Sequence, residues 1–174
     1  MTTEKYFVVR NYFDMLQNGV SVPLPDKGFL SRYAGKPGTS GYQDHAVATS
    51  ALLNAPYGLV FTPNGLFIGE GTNVNGTSCI RQVTTDLEVT TPSFSSCFNA
   101  PKGMTEHDGT LYVCDDRTLY TIDPAGVVAS FSSYQFRVPV DVAVSSSGEV
   151  FVADIGQHAI VHLDAQGNLI AEYG

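Results

Sequence analysis

The chain has 174 residues, 43% of them hydrophobic and 15% charged, enough for one domain with a packed core. Nine Lys and Arg against seventeen Asp and Glu leave a net charge of −8. Because phosphate backbones are held by Lys and Arg, this balance speaks against nucleic acid as a partner, and no stretch reaches the ~18 uninterrupted apolar residues of a membrane-spanning helix.

The N-terminus, "MTTEKYFVVRNYFDML", carries an acid near its start and no apolar run of signal-peptide length. If Met1 is the native start, the expected compartment is the cytoplasm; a longer parent protein leaves an extracytoplasmic site open. Residues 1–27 read as a segment of their own. "YFVVR" suits a strand. "NYFDMLQNG" suits either a short helix, with Tyr12, Met15 and Leu16 on one face and Asn18-Gly19 as its C-cap, or irregular strand. "GFLSRYAGKPG" follows, with a strand expected over residues 28–35.

From residue 54 a pattern recurs three times. It reads "APYGLVFTPNGLFIGEG", then "APKGMTEHDGTLYVCDD", then "VPVDVAVSSSGEVFVADIG". Pro56, Pro101 and Pro139 anchor the units, 45 and 38 residues apart. A turn glycine follows at Gly65, Gly109 and Gly148, and an acid at Glu70, Asp115 and Asp154. A third strand is expected near Ile80, Leu119 and Ile160. The turns D-P-A-G (Asp123 to Gly126) and D-A-Q-G (Asp164 to Gly167) then lead into a fourth. Four short strands at such a period indicate a radial or solenoid repeat. Gly69, Cys114 and Ala153 share one position in the second strands, where small side chains suit close sheet packing. Cys79, Cys97 and Cys114 show no C-x-x-C spacing. Cys114 reads as a packing residue, and any disulfide is expected between Cys79 and Cys97.

These residues carry a resemblance. "HAVATSALLNAPYGLVFTPNGLFIGEG" (His45 to Gly71) and "VDVAVSSSGEVFVADIGQHAIVHLDAQGNLIAEYG" (Val140 to Gly174) resemble NHL-repeat blades of the bacterial type. The resemblance spans residues 28–174. It is weaker in the second unit, where Asp115 runs almost directly into "DRTLYTI", while the first unit lengthens the same loop with "GTNVNGTS". It implies an all-β propeller of four-stranded blades around a central channel, with blades at 54–92, 99–132 and 137–174 plus an outer strand at 28–35. Three blades and part of a fourth make an incomplete ring: an open arc, or a fragment of a propeller of about six blades. Further blades in cis or self-association are then expected. The last blade is expected to expose Ile160, Val152 and Val142.

The resemblance also frames the candidate sites. In related lyase propellers, metal-binding histidines follow the blade-opening proline. Here those positions are Tyr57, Lys102 and Val140, none of them an imidazole. The four histidines, His45, His107, His158 and His162, read as surface or turn residues, with His162 facing solvent on a third strand. Lactonase-like propellers hold a divalent cation with carboxylates. Glu70, Asp115, Asp116, Asp141 and Asp154 are the acids placed for Ca2+ or another divalent cation such as Mg2+, but the same carboxylates can simply accept backbone N–H bonds from the next turn. No G-x-S-x-G, P-loop or H-E-x-x-H motif occurs. Tyr57, Lys102, Val140 and Asp141 vary on a repeated frame near the expected channel entrance, as binding residues do. The expectation is a non-catalytic scaffold that binds a protein or small ligand. The alternative is part of a cation-dependent propeller hydrolase or lyase. RNA binding, known for some animal NHL proteins, would need a basic face.

Overall fold

A computed structural model describes residues 32–71, 78–94 and 98–174. The N-terminal segment, most of "GTNVNGTS" and Cys97 lie outside the described residues. Each repeat unit folds into one antiparallel meander of four strands. Blade 1 consists of β1 (Pro56–Thr62), β2 (Gly65–Glu70), β3 (Cys79–Val83) and β4 (Val89–Thr90). Blade 2 consists of β5 (Pro101–His107), β6 (Thr110–Asp115), β7 (Thr118–Ile122) and β8 (Val128–Ser130). Blade 3 consists of β9 (Pro139–Val144), β10 (Val150–Asp154), β11 (Ala159–Leu163) and β12 (Leu169–Tyr173).

The repeat register becomes geometry. Each anchor proline opens a first strand, where a missing N–H does least harm to the ladder. Each acid closes the second strand and stands across from the proline of its own blade: Pro56 opposite Glu70, Pro101 opposite Asp115, Pro139 opposite Asp154. The ladder shifts register beside each pair. Gly109 and Gly148 take positive φ, 80° and 83°, in their hairpin turns, a conformation that a side chain would strain.

Alternation along the strands sends successive side chains to opposite faces, and blade 2 buries both of its faces. Leu111 and Val113 pack against Phe67 and Ile80 of blade 1, with Phe98 from the connecting segment. Tyr112, Cys114 and Leu119 pack against Val142, Val152 and Val161 of blade 3, with Phe136 from the next connection. Cys114 is thus a core residue, 0% exposed. The three sheets form an all-β arc of an incomplete propeller.

Two expectations need correction. Val142 and Val152 are not on the open side of blade 3; they are buried against blade 2. Ile160, paired with Ala153, points the other way and is 42% exposed. Within the strand expected at 28–35, the described residues 32–35 form none. Instead residues 33–53 fold over the far face of blade 1, with a single 3-10 turn at Ala48–Ser50. Ala48 and Ala51 pack on Leu66, Ile68, Val83 and Val89, where a neighbouring sheet would otherwise lie.

Candidate functional site

The first strands β1, β5 and β9 run side by side at the inner edge of the arc. Their spacing depends on two glycines. A Cβ at Gly58 would lie 1.8 Å from the carbonyl oxygen of Lys102, and one at Gly103 would lie 2.4 Å from Cα of Asp141. The motif Pro-x-Gly in blades 1 and 2 therefore lets each first strand press against the next. In blade 3 the same position holds Asp141.

At this edge Tyr57, Gly58, Leu59, Gly103, Met104, Val140 and Asp141 line a cavity of about 380 Å³. Three of the four sequence-named binding residues, Tyr57, Val140 and Asp141, meet there. Tyr57 is 68% exposed, and the carboxylate of Asp141 accepts only the N–H of Val142 at 3.0 Å among the described contacts. Lys102 stands aside from this lining, with its carbonyl against Gly58. The lining mixes the apolar residues Leu59, Met104 and Val140 with polar surface, to which the Tyr57 phenol and the Asp141 carboxylate belong. Leu59 and Met104 were not singled out in the sequence; only the strand-to-strand spacing brings them to the cavity.

The repeating acids make a different pattern. Asp115 accepts the N–H groups of Asn99 and Ala100, at 2.9 and 2.5 Å. Asp154 accepts those of Arg137 and Val138, at 2.7 and 2.9 Å. Glu70 accepts the N–H of Asn54 at 3.0 Å. In every blade these donors precede the anchor proline, so the carboxylate ties the incoming connection to the end of the second strand. The donors lie upstream rather than in the next turn; only Asp154 also accepts from Gly156 and Gln157 downstream. Asp154 is buried, which pushes its carboxyl up. Bonds from the Gln157 side chain and from the N–H groups of Arg137, Val138 and Gly156 outweigh burial, and the net shift is downward. Asp116 is exposed, in a tight turn with φ 46°. Among the described residues, no three His, Cys, Asp or Glu side chains group to hold a metal ion.

Blade 1 departs from this frame. Its longer acid, Glu70, also receives Arg81 at 3.3 Å and the Cys79 thiol at 3.3 Å. Arg81 is fully buried. It donates on to Asp44 at 2.6 Å and to the carbonyl of Leu52 at 3.1 Å, so it bolts residues 44–52 to the blade. Burial pushes the Glu70 carboxyl up, against the opposing pull of the Asn54 N–H and the Arg81 charge. Burial, with Glu70 nearby, pushes the Cys79 thiol up to about 12, and Cys114 rises to about 12 mainly by burial. Cys79 is a free thiol, so the disulfide expected with Cys97 is not formed at its Cys79 end.

The histidines divide. His45 and His158 are exposed, and His107 lies 3.5 Å from Asp108 at a strand end. His162 does not face solvent as expected. Its ring stacks on Phe151, with centroids 4.2 Å apart, and lies toward Tyr173 at 6.2 Å. Neither ring nitrogen has a hydrogen-bond partner among the described residues.

No protein-family model and no curated protein matches the chain. Solved propeller structures do. A chain of a nidogen/laminin complex is 17% identical, with a TM-score of 0.58, over 74% of this chain and 49% of that one. A gluconolactonase from Xanthomonas campestris is 15% identical, with a TM-score of 0.58, over 70% and 48%. Virginiamycin B lyase from Staphylococcus aureus is 17% identical, with a TM-score of 0.52, over 68% and 40%. The chain spans about half or less of each. At these identities the likeness is one of fold, and it places the arc in the β-propeller class. Among the described residues no helix is long and apolar enough to cross a membrane.

Proposed function

We propose that the chain is an NHL-type arc that acts as a non-catalytic binding scaffold, taking a protein segment or small ligand at the inner edge lined by Tyr57, Val140 and Asp141. The observation that carries this reading is a division of labour. Residues that repeat between blades hold the backbone, as Asp115 and Asp154 do. Residues that differ line an open cavity. Variation on a fixed frame is how repeat scaffolds build recognition surfaces. Tyr57 offers a large rigid contact at low entropic cost, as aromatic anchors of interfaces do, and Asp141 offers an acceptor for a donor-bearing ligand. Lys102, half-buried beside Gly58, belongs to the same edge without lining the cavity.

The test is an NMR screen of the labelled chain against a peptide and small-molecule library, run beside a gluconolactone hydrolysis assay with and without Ca2+. The scaffold reading expects shift changes centred on the amides of Tyr57, Val140 and Asp141, lost in Tyr57→Ala. Hydrolysis that requires Ca2+ and disappears in Asp141→Ala overturns it in favour of a cation-dependent propeller enzyme.

A further inference from the structure

The three blades meet at two junctions, and these differ at the end of the strands away from the anchor prolines. Between blades 2 and 3 that end is closed. A Cβ on Gly167 would collide with the Phe131 carbonyl, and the Ser132 hydroxyl donates to the Gly167 carbonyl at 2.5 Å. Between blades 1 and 2 the matching contact is a side chain. A Cβ on Gly126 would meet Phe94 Cδ1 at 3.5 Å, with no backbone of the connecting segment pressed against it. A cavity of about 470 Å³ remains there, within the range of small-ligand sites. Phe67, Leu111 and Ile122 line it and are buried, and the Phe94 ring lies beside Phe67 with centroids 6.3 Å apart.

Two carboxylates share this lining. Glu106, half-buried, accepts the Gly109 N–H at 2.6 Å through one oxygen. Asp123 uses one oxygen for the N–H groups of Ala125 and Val127, both at 2.9 Å. The second oxygen of each has no partner among the described residues. The turns of blade 3 show what is missing. There Asp164 makes the same two turn bonds with one oxygen, and the Asn168 side chain donates to the other at 2.9 Å. Val127 stands in blade 2 where Asn168 stands in blade 3, and it has nothing to donate. Glu106 stands where blade 3 has Ser145. The cavity and the two spare acceptors thus fall at one junction, each on a departure from the repeat.

Charge selects the occupant. No Lys, Arg or His is among the described residues that line the cavity. An anion would meet two carboxylates with no cation between them, and a neutral apolar molecule would leave both spare oxygens unused. A cation with an apolar body satisfies both halves of the lining, and the Phe94 ring adds a face for the charge. A protein interface of standard size needs roughly 800 Å² per partner, whereas this space is a notch between turns.

We propose that the cavity between blades 1 and 2 binds a small free organic ammonium, its head at Glu106 and Asp123 and its apolar body against Phe94, Phe67 and Leu111. The site is separate from the inner edge, since neither Tyr57 nor Asp141 lines it.

An NMR titration of the labelled full chain with 2-phenylethylammonium tests this, run beside 2-phenylethanol and 3-phenylpropionate. The ammonium should saturate at concentrations on the order of a millimolar, moving the amides of Phe94, Gly109, Ala125 and Gly126. The alcohol should bind roughly tenfold more weakly, and the carboxylate should not bind. Glu106→Gln with Asp123→Asn keeps an amide carbonyl for each turn N–H and should weaken the ammonium by roughly tenfold. Val127→Asn, at a site 61% exposed, gives Asp123 the partner that Asp164 has. It should weaken binding several-fold in a chain whose circular dichroism is unchanged. Equal binding of ammonium and alcohol overturns the proposal, as does undiminished binding in the double variant or no saturable binding at all. Shifts centred on Tyr57 and Asp141 also overturn it, because they give the amine to the inner edge. A blocked lysine peptide that binds more tightly than the free amine overturns it in favour of a partner chain.

Discussion

Asp154 is the clearest single residue by which this sequence commands its structure. One carboxylate takes N–H groups from the connection before its blade and from the turn after its strand. Its folded pKa lies below the unfolded value of 3.8. The stabilisation is therefore fully present above about pH 4 and is lost as pH falls through the folded pKa. Glu70 has the opposite sign: its pKa is raised, so it opposes stability as pH rises past its unfolded value. Asp154→Ala should cost on the order of 3 kcal/mol, since buried donors lose a charged acceptor. Urea denaturation at neutral pH measures this, and the acid limb of the stability curve should flatten in the variant. Arg81 gives a second expectation. Arg81→Met leaves Glu70 buried without its cation and should cost about 3 kcal/mol or more, whereas the Arg81→Met, Glu70→Gln double variant should recover part of the loss. Additive losses in that cycle would show that the pair is uncoupled. A third concerns the thiols. With Cys79 and Cys114 both at about 12 and buried, the native chain should expose at most one of its three thiols to Ellman's reagent, and unfolding should release the rest. Two fast-reacting native thiols would contradict the burial.

At the scale of elements, the blades were legible because proline, turn glycine and acid each do one local job in a fixed order. Pro56, Pro101 and Pro139 open strands, and Glu70, Asp115 and Asp154 close them. What was not legible depends on neighbours. Val152 and Ile160 read alike as apolar strand residues, but their faces are set by the pairing of Val152 with Val161 and of Ala153 with Ile160. Residues 33–53 resemble a link because they have little periodicity. Their capping role comes from a buried Arg81 reaching back across 37 residues to Asp44, a contact that no local pattern announces. His162 was misplaced for the same reason, since stacking needs Phe151 on the adjacent strand. Of the candidate site, Tyr57, Val140 and Asp141 followed from their place after the anchor prolines, but Leu59 and Met104 needed the approach of β1 to β5. That approach makes its own prediction. Gly58→Ala puts a methyl group 1.8 Å from a backbone carbonyl that cannot rotate away. It should cost about 2–3 kcal/mol by overpacking, read as a lower melting temperature, whereas Val47→Ala on the exposed cap should be nearly neutral. Equal melting temperatures for Gly58→Ala and the unmodified chain would mean that β1 and β5 stand farther apart than described.

For the whole molecule, stability should be graded along the arc. Repeat assemblies are held by each unit and by its contacts with its neighbours. Blade 2 has sheets on both sides, and Val113, Cys114 and Leu119 on its opposite faces are all 0% exposed. Blade 1 has a sheet on one side and the bolted cap on the other. Blade 3 has blade 2 on one side; on the other, Ile160 is 42% exposed, and its outermost strand, β12, exposes Leu169, Ile170 and Tyr173. At about 25 cal/mol per Å² of apolar surface, covering a few hundred Å² more gives blade 2 an advantage of several kcal/mol over blade 3. Local opening follows such differences. Amide exchange in dilute solution should therefore be slowest in β6 and β7, faster in β10 and β11, and fastest in β12. If β10 and β11 exchange as slowly as β6 and β7, the far face of blade 3 is covered within the single chain and stability is not graded along the arc.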